Sequence, residues 1–143
     1  MKNILLISHG PLAEALIASA AMLYGKKENV AFYGLNPEDN IAEFENKIFQ
    51  YVEEHKENDI IIMCDISGGS PYNCASKIKF RYPNIEIVSG MNVAMVLEVF
   101  LSEEYCTLKE LVLKAENAGK ESVCIAHIDN NIIKDEMDEM MEE

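Results

Sequence analysis

A histidine and an aspartate each follow an apolar run in this chain. The run ILLI at 4–7 leads into Ser8-His9-Gly10, and a later apolar run leads into Asp65. A neutral imidazole is a competent nucleophile near neutral pH, and a carboxylate on its second nitrogen fixes the tautomer and stabilises the cation formed on attack. We therefore predict that His9 is a nucleophile and that Asp65 orients its ring.

A glycine-rich turn follows Asp65 and has the features of a phosphate site. Glycines leave backbone N–H groups open to an anion, and a helix predicted to start with Ser70 as N-cap and Pro71 at its first position adds the positive end of its dipole. The predicted phosphate-binding residues are Gly10, Gly68, Gly69 and Ser70. A histidine after a strand is usually structural when it occurs alone, and so is a GGSP run. The prediction of a functional site therefore rests on His9, Asp65 and the glycine-rich turn occurring together.

Short apolar runs predict the elements that must position these residues. Strands are expected at 4–8, 30–35, 60–65, 85–89 and 122–128, and the first four alternate with segments of helical periodicity. The predicted fold class is α/β, a single doubly wound domain with four parallel strands in the flavodoxin-like order 2-1-3-4. Ligands bind such sheets beyond the carboxyl ends of the strands where the order reverses, here between the first and third strands. His9 and Asp65 end these two strands, so we expect them to face each other.

The last residues form a separate segment. Residues 1–128 are predicted to be one domain, and 129–143 an acidic, methionine-rich tail. Ile133, Met137, Met140 and Met141 keep helical spacing there. A short docking helix and a frayed tail both fit this pattern.

Composition excludes several classes of protein. The net charge of −13 argues against nucleic-acid binding, which needs clustered lysine and arginine. The four cysteines form no CxxC pair, so we predict buried thiols, no metal site and no cofactor. The first apolar run is too short for a signal peptide or a membrane span, and we predict a cytoplasmic protein.

Other reactions fit the sequence less well than phosphoryl transfer. The hydrolase motif G-x-S-x-G fails because Tyr72 replaces its second glycine, and no G-x-x-x-x-G-K phosphate loop is present. A phosphohistidine phosphatase would need arginines around its phosphate, and Arg81 is the only arginine in the chain. His55 lies in a polar stretch that predicts a solvated helix end, and His127 closes the last predicted strand beside the acidic tail, at a surface or interface position. Both are left out of the site.

The same motifs resemble a known family. The run ILLISHG at 4–10 and the run DISGGSPYN at 65–73 are similar to the mannose-type IIA proteins of the bacterial phosphoenolpyruvate-dependent sugar phosphotransferase system. The run SGMNVAM at 89–95 resembles the family's segment between its fourth strand and the next helix. The resemblance covers residues 1 to about 128.

The resemblance implies a role and partners for this chain. His9 would accept phosphate from phosphorylated HPr and donate it to a separate IIB protein, which feeds a membrane sugar permease complex. Asp65 would be the orienting carboxylate, and Ser70 would place a catalytic hydroxyl near the phosphoryl group. The resemblance also implies a homodimer in which an antiparallel fifth strand, here 122–128, is exchanged between subunits. Pro11 departs from the aromatic residue that some relatives carry beside the histidine.

Three alternatives remain open at this point. The phosphoryl-donor subunit of a dihydroxyacetone kinase complex shares the fold and the histidine, although its glycine loop tends to differ. A flavodoxin-type module could use the same crevice for a small molecule such as a flavin. A purely structural dimerisation domain would make no use of His9. The sequence does not name the transported sugar.

Overall fold

A parallel sheet of four strands carries the fold in this computed structural model, which describes residues 2–128 and 130–142. The strands are β1 (Lys2–His9), β2 (Val30–Leu35), β3 (Asp59–Cys64) and β4 (Ile85–Ser89). The helices are α1 (Leu12–Tyr24), α2 (Ile41–Glu54), α3 (Ser70–Lys79), α4 (Val93–Ser102), α5 (Leu108–Glu121) and α6 (Asn130–Glu142). The strand order is β2-β1-β3-β4 with parallel pairing throughout, which confirms the predicted α/β class and the order 2-1-3-4.

Both faces of the sheet are covered by helices, which explains the continuous apolar runs in the central strands. In β1, Ile4 and Leu6 pack in a cluster with α1, α4 and α5, whereas Leu5 and Ile7 pack in a second cluster with α2 and α3. All four side chains are fully buried. Each contributes about 1.5–3 kcal/mol through removal of apolar surface from water, so the core fixes β1 and the residue at its end.

Polar side chains mark the starts of several helices. Asn40 accepts a hydrogen bond from the Glu43 amide at the start of α2, and Thr107 and Glu110 form a reciprocal capping box at the start of α5. The helical spacing of Leu16, Ala20 and Leu23 predicts that all three lie on one buried face of α1. Leu16 and Ala20 are buried, but Leu23 is exposed. Within the described residues, no helix combines the length and apolar character needed to span a membrane.

A buried charge cluster closes the amino end of the sheet, opposite to His9. The Glu103 side chain is 2% exposed, and its Oε1 atom lies 3.1 Å from Lys27 Nζ. Asn29 donates a hydrogen bond of 2.9 Å to the same oxygen, and Lys2 donates one of 2.6 Å to the Glu103 backbone carbonyl. These contacts tie the start of β1 to the end of α4.

The predicted fifth strand is not a strand within this chain. Ser122 caps the C-terminus of α5, and residues 123–128 form neither helix nor strand and are exposed. Beyond them, residues 130–142 form helix α6, so the described part of the tail is helical.

Candidate functional site

The end of β1 brings His9 next to Asp65. Ile7 pairs with Cys64 in the register between β1 and β3, so the residues that follow these two strands emerge side by side. His9 Nδ1 lies 2.6 Å from Asp65 Oδ2, and the His9 backbone amide donates a hydrogen bond of 2.8 Å to the same oxygen. The His9 side chain is 48% exposed and the Asp65 side chain only 9%. The carboxylate is thus held behind a ring that solvent and other molecules can reach.

The hydrogen bonds of Asp65 determine which ring nitrogen is free. Burial would raise the pKa of Asp65, but hydrogen bonds from the His9 amide and ring and from the Ile66 amide outweigh it and hold that pKa below its ordinary value. An ionised carboxylate can only accept, so His9 Nδ1 carries the proton. The lone pair of the neutral ring therefore lies on Nε2, which has no hydrogen-bond partner in the described part of the chain.

The glycine-rich turn lies against the same ring. Gly68 has a φ of +82°, a conformation that favours glycine, and its carbonyl accepts a hydrogen bond of 3.1 Å from Asn73 Nδ2. Across residues 2–128 and 130–142, no partner is found for the amides of Gly68, Gly69 and Ser70. These amides can donate hydrogen bonds to an anion, and the positive end of the α3 dipole favours its binding there. Sequence reasoning missed Asn73, whose side chain holds the turn by bonding to the Gly68 carbonyl. Its position five residues after Gly68 is the only signal for this contact in the sequence.

Gly69, rather than Ser70, is the N-cap of α3, which corrects the predicted helix start. Its φ of −76° and ψ of 169° are open to any residue, so its backbone does not require glycine. A Cβ at this position would lie 2.8 Å from His9 Cε1 and 3.2 Å from Ile66 Cγ1. Glycine is needed here because the imidazole occupies that space. Ser70 is instead the first residue of α3, and its side chain is half-buried.

Substituting Gly69 with alanine tests this close packing. We expect the added methyl group to displace the His9 ring from Asp65, because its carbon would lie only 2.8 Å from His9 Cε1. Ring 15N chemical shifts would report the displacement. Ser67→Ala, an exposed change in the same turn, is the control. Unchanged ring resonances in Gly69→Ala would contradict the steric account.

A second set of contacts fixes the turn between β1 and α1. The buried Ser8 hydroxyl accepts a hydrogen bond of 2.9 Å from the Ala13 amide and donates to the Gly10 carbonyl at 3.3 Å. Gly10 has a φ of +58°, and its amide donates to the Leu35 carbonyl at 2.8 Å. A Cβ at Gly34 would overlap the Gly10 carbonyl oxygen. Sequence reasoning missed Ser8 and Gly34, because neither position is distinctive without the neighbouring strand.

A cleft of about 570 Å³ opens beside the ring on the side away from the glycine-rich turn. It is lined by the backbone turn after His9 and by the loop after β2, namely His9, Gly10, Pro11, Leu35, Asn36, Pro37, Asp39 and Ile41. Its lining contains no lysine or arginine. The glycine-rich turn at 65–73 also lacks lysine and arginine, so an anion at this edge of the sheet would meet backbone amides and the α3 dipole rather than side-chain cations.

The fold and this geometry define a class of protein. An exposed imidazole with a carboxylate on one nitrogen, unpaired amides in front of the other and a doubly wound sheet beneath is an α/β histidine site suited to phosphoryl transfer. Neither the residues that line the cleft nor the turn at 65–73 include a lysine or arginine that could form the cation clamp of a kinase or phosphatase.

Comparison with known proteins places the chain within a family of this class. The family model EIIA-man, "PTS system fructose IIA component", matches residues 3–116. The chain is 27% identical over 132 residues to the fructose-specific EIIA component of the phosphotransferase system (PTS) of Bacillus subtilis (strain 168), with 90% of each protein covered. It is 31% identical over 99 residues to the sorbose-specific EIIA component of Klebsiella pneumoniae, covering 69% of this chain and 73% of the relative.

A solved structure agrees with these matches. The mannose/sorbose-specific IIA subunit from Enterococcus faecalis superposes with a TM-score of 0.85 at 27% identity, covering 91% of this chain and 98% of that one. The chain belongs to the EIIA-man family. It is a IIA component of a sugar phosphotransferase system.

Proposed function

We propose that this protein is a phosphoryl carrier that accepts a phosphoryl group on His9 Nε2 from phosphorylated HPr and donates it to a IIB protein. The observation that carries the proposal is the pairing of His9 Nδ1 with Asp65 at 2.6 Å, while the ring remains 48% exposed. This pairing presents a nucleophilic nitrogen to an approaching protein. Through IIB the phosphoryl group would reach a membrane permease complex that takes up the sugar, and the carrier itself would act in the cytoplasm.

The transfer step follows from the hydrogen bonds of the ring. The Nε2 lone pair attacks phosphorus, and the bond between phosphorus and the donor breaks as the Nε2–P bond forms. The Nδ1 proton stays on the ring, and the adjacent Asp65 carboxylate stabilises the positive charge that the ring acquires. The amides of Gly68, Gly69 and Ser70, which have no partner among the described residues, would donate to the phosphoryl oxygens, with the Ser70 hydroxyl as a further donor. Donation to IIB is the reverse step with a different acceptor.

Incubation with phosphoenolpyruvate, enzyme I and HPr tests the proposal. Intact-mass measurement should show a gain of about 80 Da that acid removes, since phosphohistidine is acid-labile. After removal of phosphoenolpyruvate, enzyme I and HPr, a molar excess of a IIB protein from the same genome should accept the phosphoryl group and return the mass towards its starting value. No gain in mass with an active phospho-HPr would contradict the proposal.

The domain boundary predicted from the sequence belongs to the same proposal. Residues 1–128 would form the IIA domain, with a tail from 129 onwards that takes no part in the chemistry. The family match over residues 3–116 lies within the proposed domain.

We further propose that two copies exchange residues 122–128 as a fifth, antiparallel strand. The outer edge of β4 has no strand partner among the described residues. Clefts of about 370 and 630 Å³ lie on the two sides of that edge, one against α3 and one against α5. Residues 122–128 carry exposed apolar side chains, including Val123, Ile125 and Ile128. An added strand would fill both clefts with alternate side chains and remove an edge prone to aggregation.

Sedimentation velocity on single-site variants tests the exchange. The wild-type chain should sediment as a dimer, and Ile125→Asp should shift it to monomer at the same concentration, because a buried carboxylate in the added strand would be strongly unfavourable. Met22→Asp is a matched control, since Met22 is 88% exposed on α1 and Ile125 is 83% exposed. A monomeric wild-type protein, or equal behaviour of the two variants, would contradict the exchange.

A further inference from the structure

The C-terminal end of α3 carries the most basic stretch of this acidic protein. Residues 76–82 (SKIKFRY) contain three cations and no acidic residue. Phe80 among them is 95% exposed. We call Lys77, Lys79, Phe80 and Arg81 the Phe80 patch. The cleft of about 370 Å³ between α3 and the edge of β4 opens beside it and is lined in part by Lys79 and Phe80.

The cations of the Phe80 patch differ in their pairing. Lys79 Nζ lies 2.8 Å from Glu86 Oε2, and Lys77 Nζ lies 3.5 Å from Glu45 Oε1. Both lysines remain substantially exposed, at 42% and 73%. Arg81 is exposed, and none of the described acidic side chains pairs with it. An exposed aromatic ring beside an unpaired guanidinium is typical of a surface that binds an acidic, apolar partner.

Helix α6 has the complementary chemistry. It contains five acidic residues against one lysine, a net charge of −4 over 13 residues. Met137, Met140 and Met141 are spaced to share one face, and they are 57%, 76% and 82% exposed. Every described side chain of α6 is exposed within its own chain. Isolated helices shorter than about 15 residues are marginal in water, so α6 needs a second surface to be stable.

The exchanged strand would bring these two surfaces together, and this inference rests on that part of the proposed function. Asn92 Nδ2 donates a hydrogen bond of 3.1 Å to the Gly119 carbonyl, which holds the end of α5 beside the loop at the carboxyl end of β4. In a two-fold dimer, residue 123 would therefore start near the partner's Ser89 and the strand would run towards the partner's Ile85. Helix α6 would then begin beside the partner's α3–β4 connection, where the Phe80 patch lies.

We propose that α6 of each subunit docks on the Phe80 patch of the other subunit. The methionines pack against the exposed Phe80 ring beside the exchanged strand, and the acidic residues of α6 face Arg81 and the two lysines. Methionine suits this contact because its flexible, polarisable side chain packs well on aromatic rings. The tail thus acts as a clamp that holds the exchanged strand in place.

Hydrogen exchange on mixed dimers of full-length chains tests the docking and its direction. One chain, labelled with 15N, carries Phe80→Ala and Arg81→Glu but has a normal α6. The other chain carries Met137→Asp and Met140→Asp but has a normal patch. Alone, each variant should lose α6 amide protection by about tenfold or more relative to wild type. When the two are mixed, protection should return to the labelled α6, because its only intact patch lies on the other subunit.

The control and the contrary outcomes are distinct. Lys47→Glu makes the same charge change as Arg81→Glu at an exposed site on α2, and it should leave α6 protected. No protection in wild type, or loss of protection that mixing fails to restore, would overturn docking on the partner. A monomeric wild-type protein would overturn both the exchange and the docking. Phosphorylation of His9, measured on the same samples, would stay normal in all these cases if the carrier proposal is right.

Discussion

Replacing His9 with alanine should abolish phosphoryl uptake while leaving the fold intact. No other described group can take over, because His9 Nε2 is the only nucleophile found here with a carboxylate-oriented ring and unpaired amides in front of it. The intact-mass assay should show no gain with phospho-HPr. The free energy of unfolding should change by less than about 1 kcal/mol, because the His9–Asp65 pair is partly exposed and Asp65 keeps its hydrogen bonds from two backbone amides.

His55→Ala is the matched control for this substitution. The chain has three histidines, and His55 Nδ1 bonds to the Tyr51 carbonyl at 2.7 Å, away from the sheet edge that bears His9. Its removal should leave the gain in mass unchanged. A gain that persists in His9→Ala, or disappears only in His55→Ala, would mean that the acceptor has been assigned to the wrong residue.

Much of the fold could be predicted because the sheet is buried on both faces. An unbroken apolar run such as Ile4-Leu5-Leu6-Ile7 has few other places in a small protein, and alternation with helices makes the sheet parallel. Once β1 and β3 are neighbours, the residues after them must emerge together, which is why the closeness of His9 and Asp65 followed from sequence position alone.

The details that were missed depend on contacts between segments far apart in the chain. Local preference predicts Ser70 as the N-cap of α3, but the cap is Gly69, where a Cβ would lie only 2.8 Å from a ring carried by another strand. Glycine is likewise required at position 34, because a Cβ there would overlap the Gly10 carbonyl oxygen in the turn that follows β1. No local pattern records such close approaches, because each partner is unremarkable in its own segment.

The predicted strand at 122–128 illustrates a different limit. Its apolar residues predict a strand, but the segment forms no strand in the structure and is exposed. A sequence pattern for a strand does not say which strand it pairs with, or whether that strand belongs to the same chain. The proposed pairing with a second copy rests on the edge of β4, which has no strand partner among the described residues.

Replacing Asp65 with asparagine should slow phosphoryl uptake about 100- to 10,000-fold, in line with the loss seen when the orienting carboxylate of a catalytic histidine is made neutral. Asp65 Oδ2 accepts from the His9 amide and ring, and Oδ1 accepts from the Ile66 amide. An asparagine has only one acceptor oxygen, so either orientation sets its NH2 group against a donor. The charge that stabilises the phosphorylated ring is also lost. Rapid-quench measurement of the rate at saturating phospho-HPr would give the effect on the chemical step.

The neighbouring Asp39→Asn separates orientation from simple loss of negative charge. Asp39 lines the cleft beside His9 but bonds to the Asn36 amide at 2.8 Å rather than to the ring, so its neutralisation should change the rate less than about threefold. The pH dependence of stability provides an independent check. Because the native pKa of Asp65 is depressed, its pairing stabilises the fold at neutral pH, and this contribution is lost as pH falls through that pKa. Asp65→Asn should remove that part of the acid sensitivity, whereas equal slowing by both variants would show that Asp65 acts only through its charge.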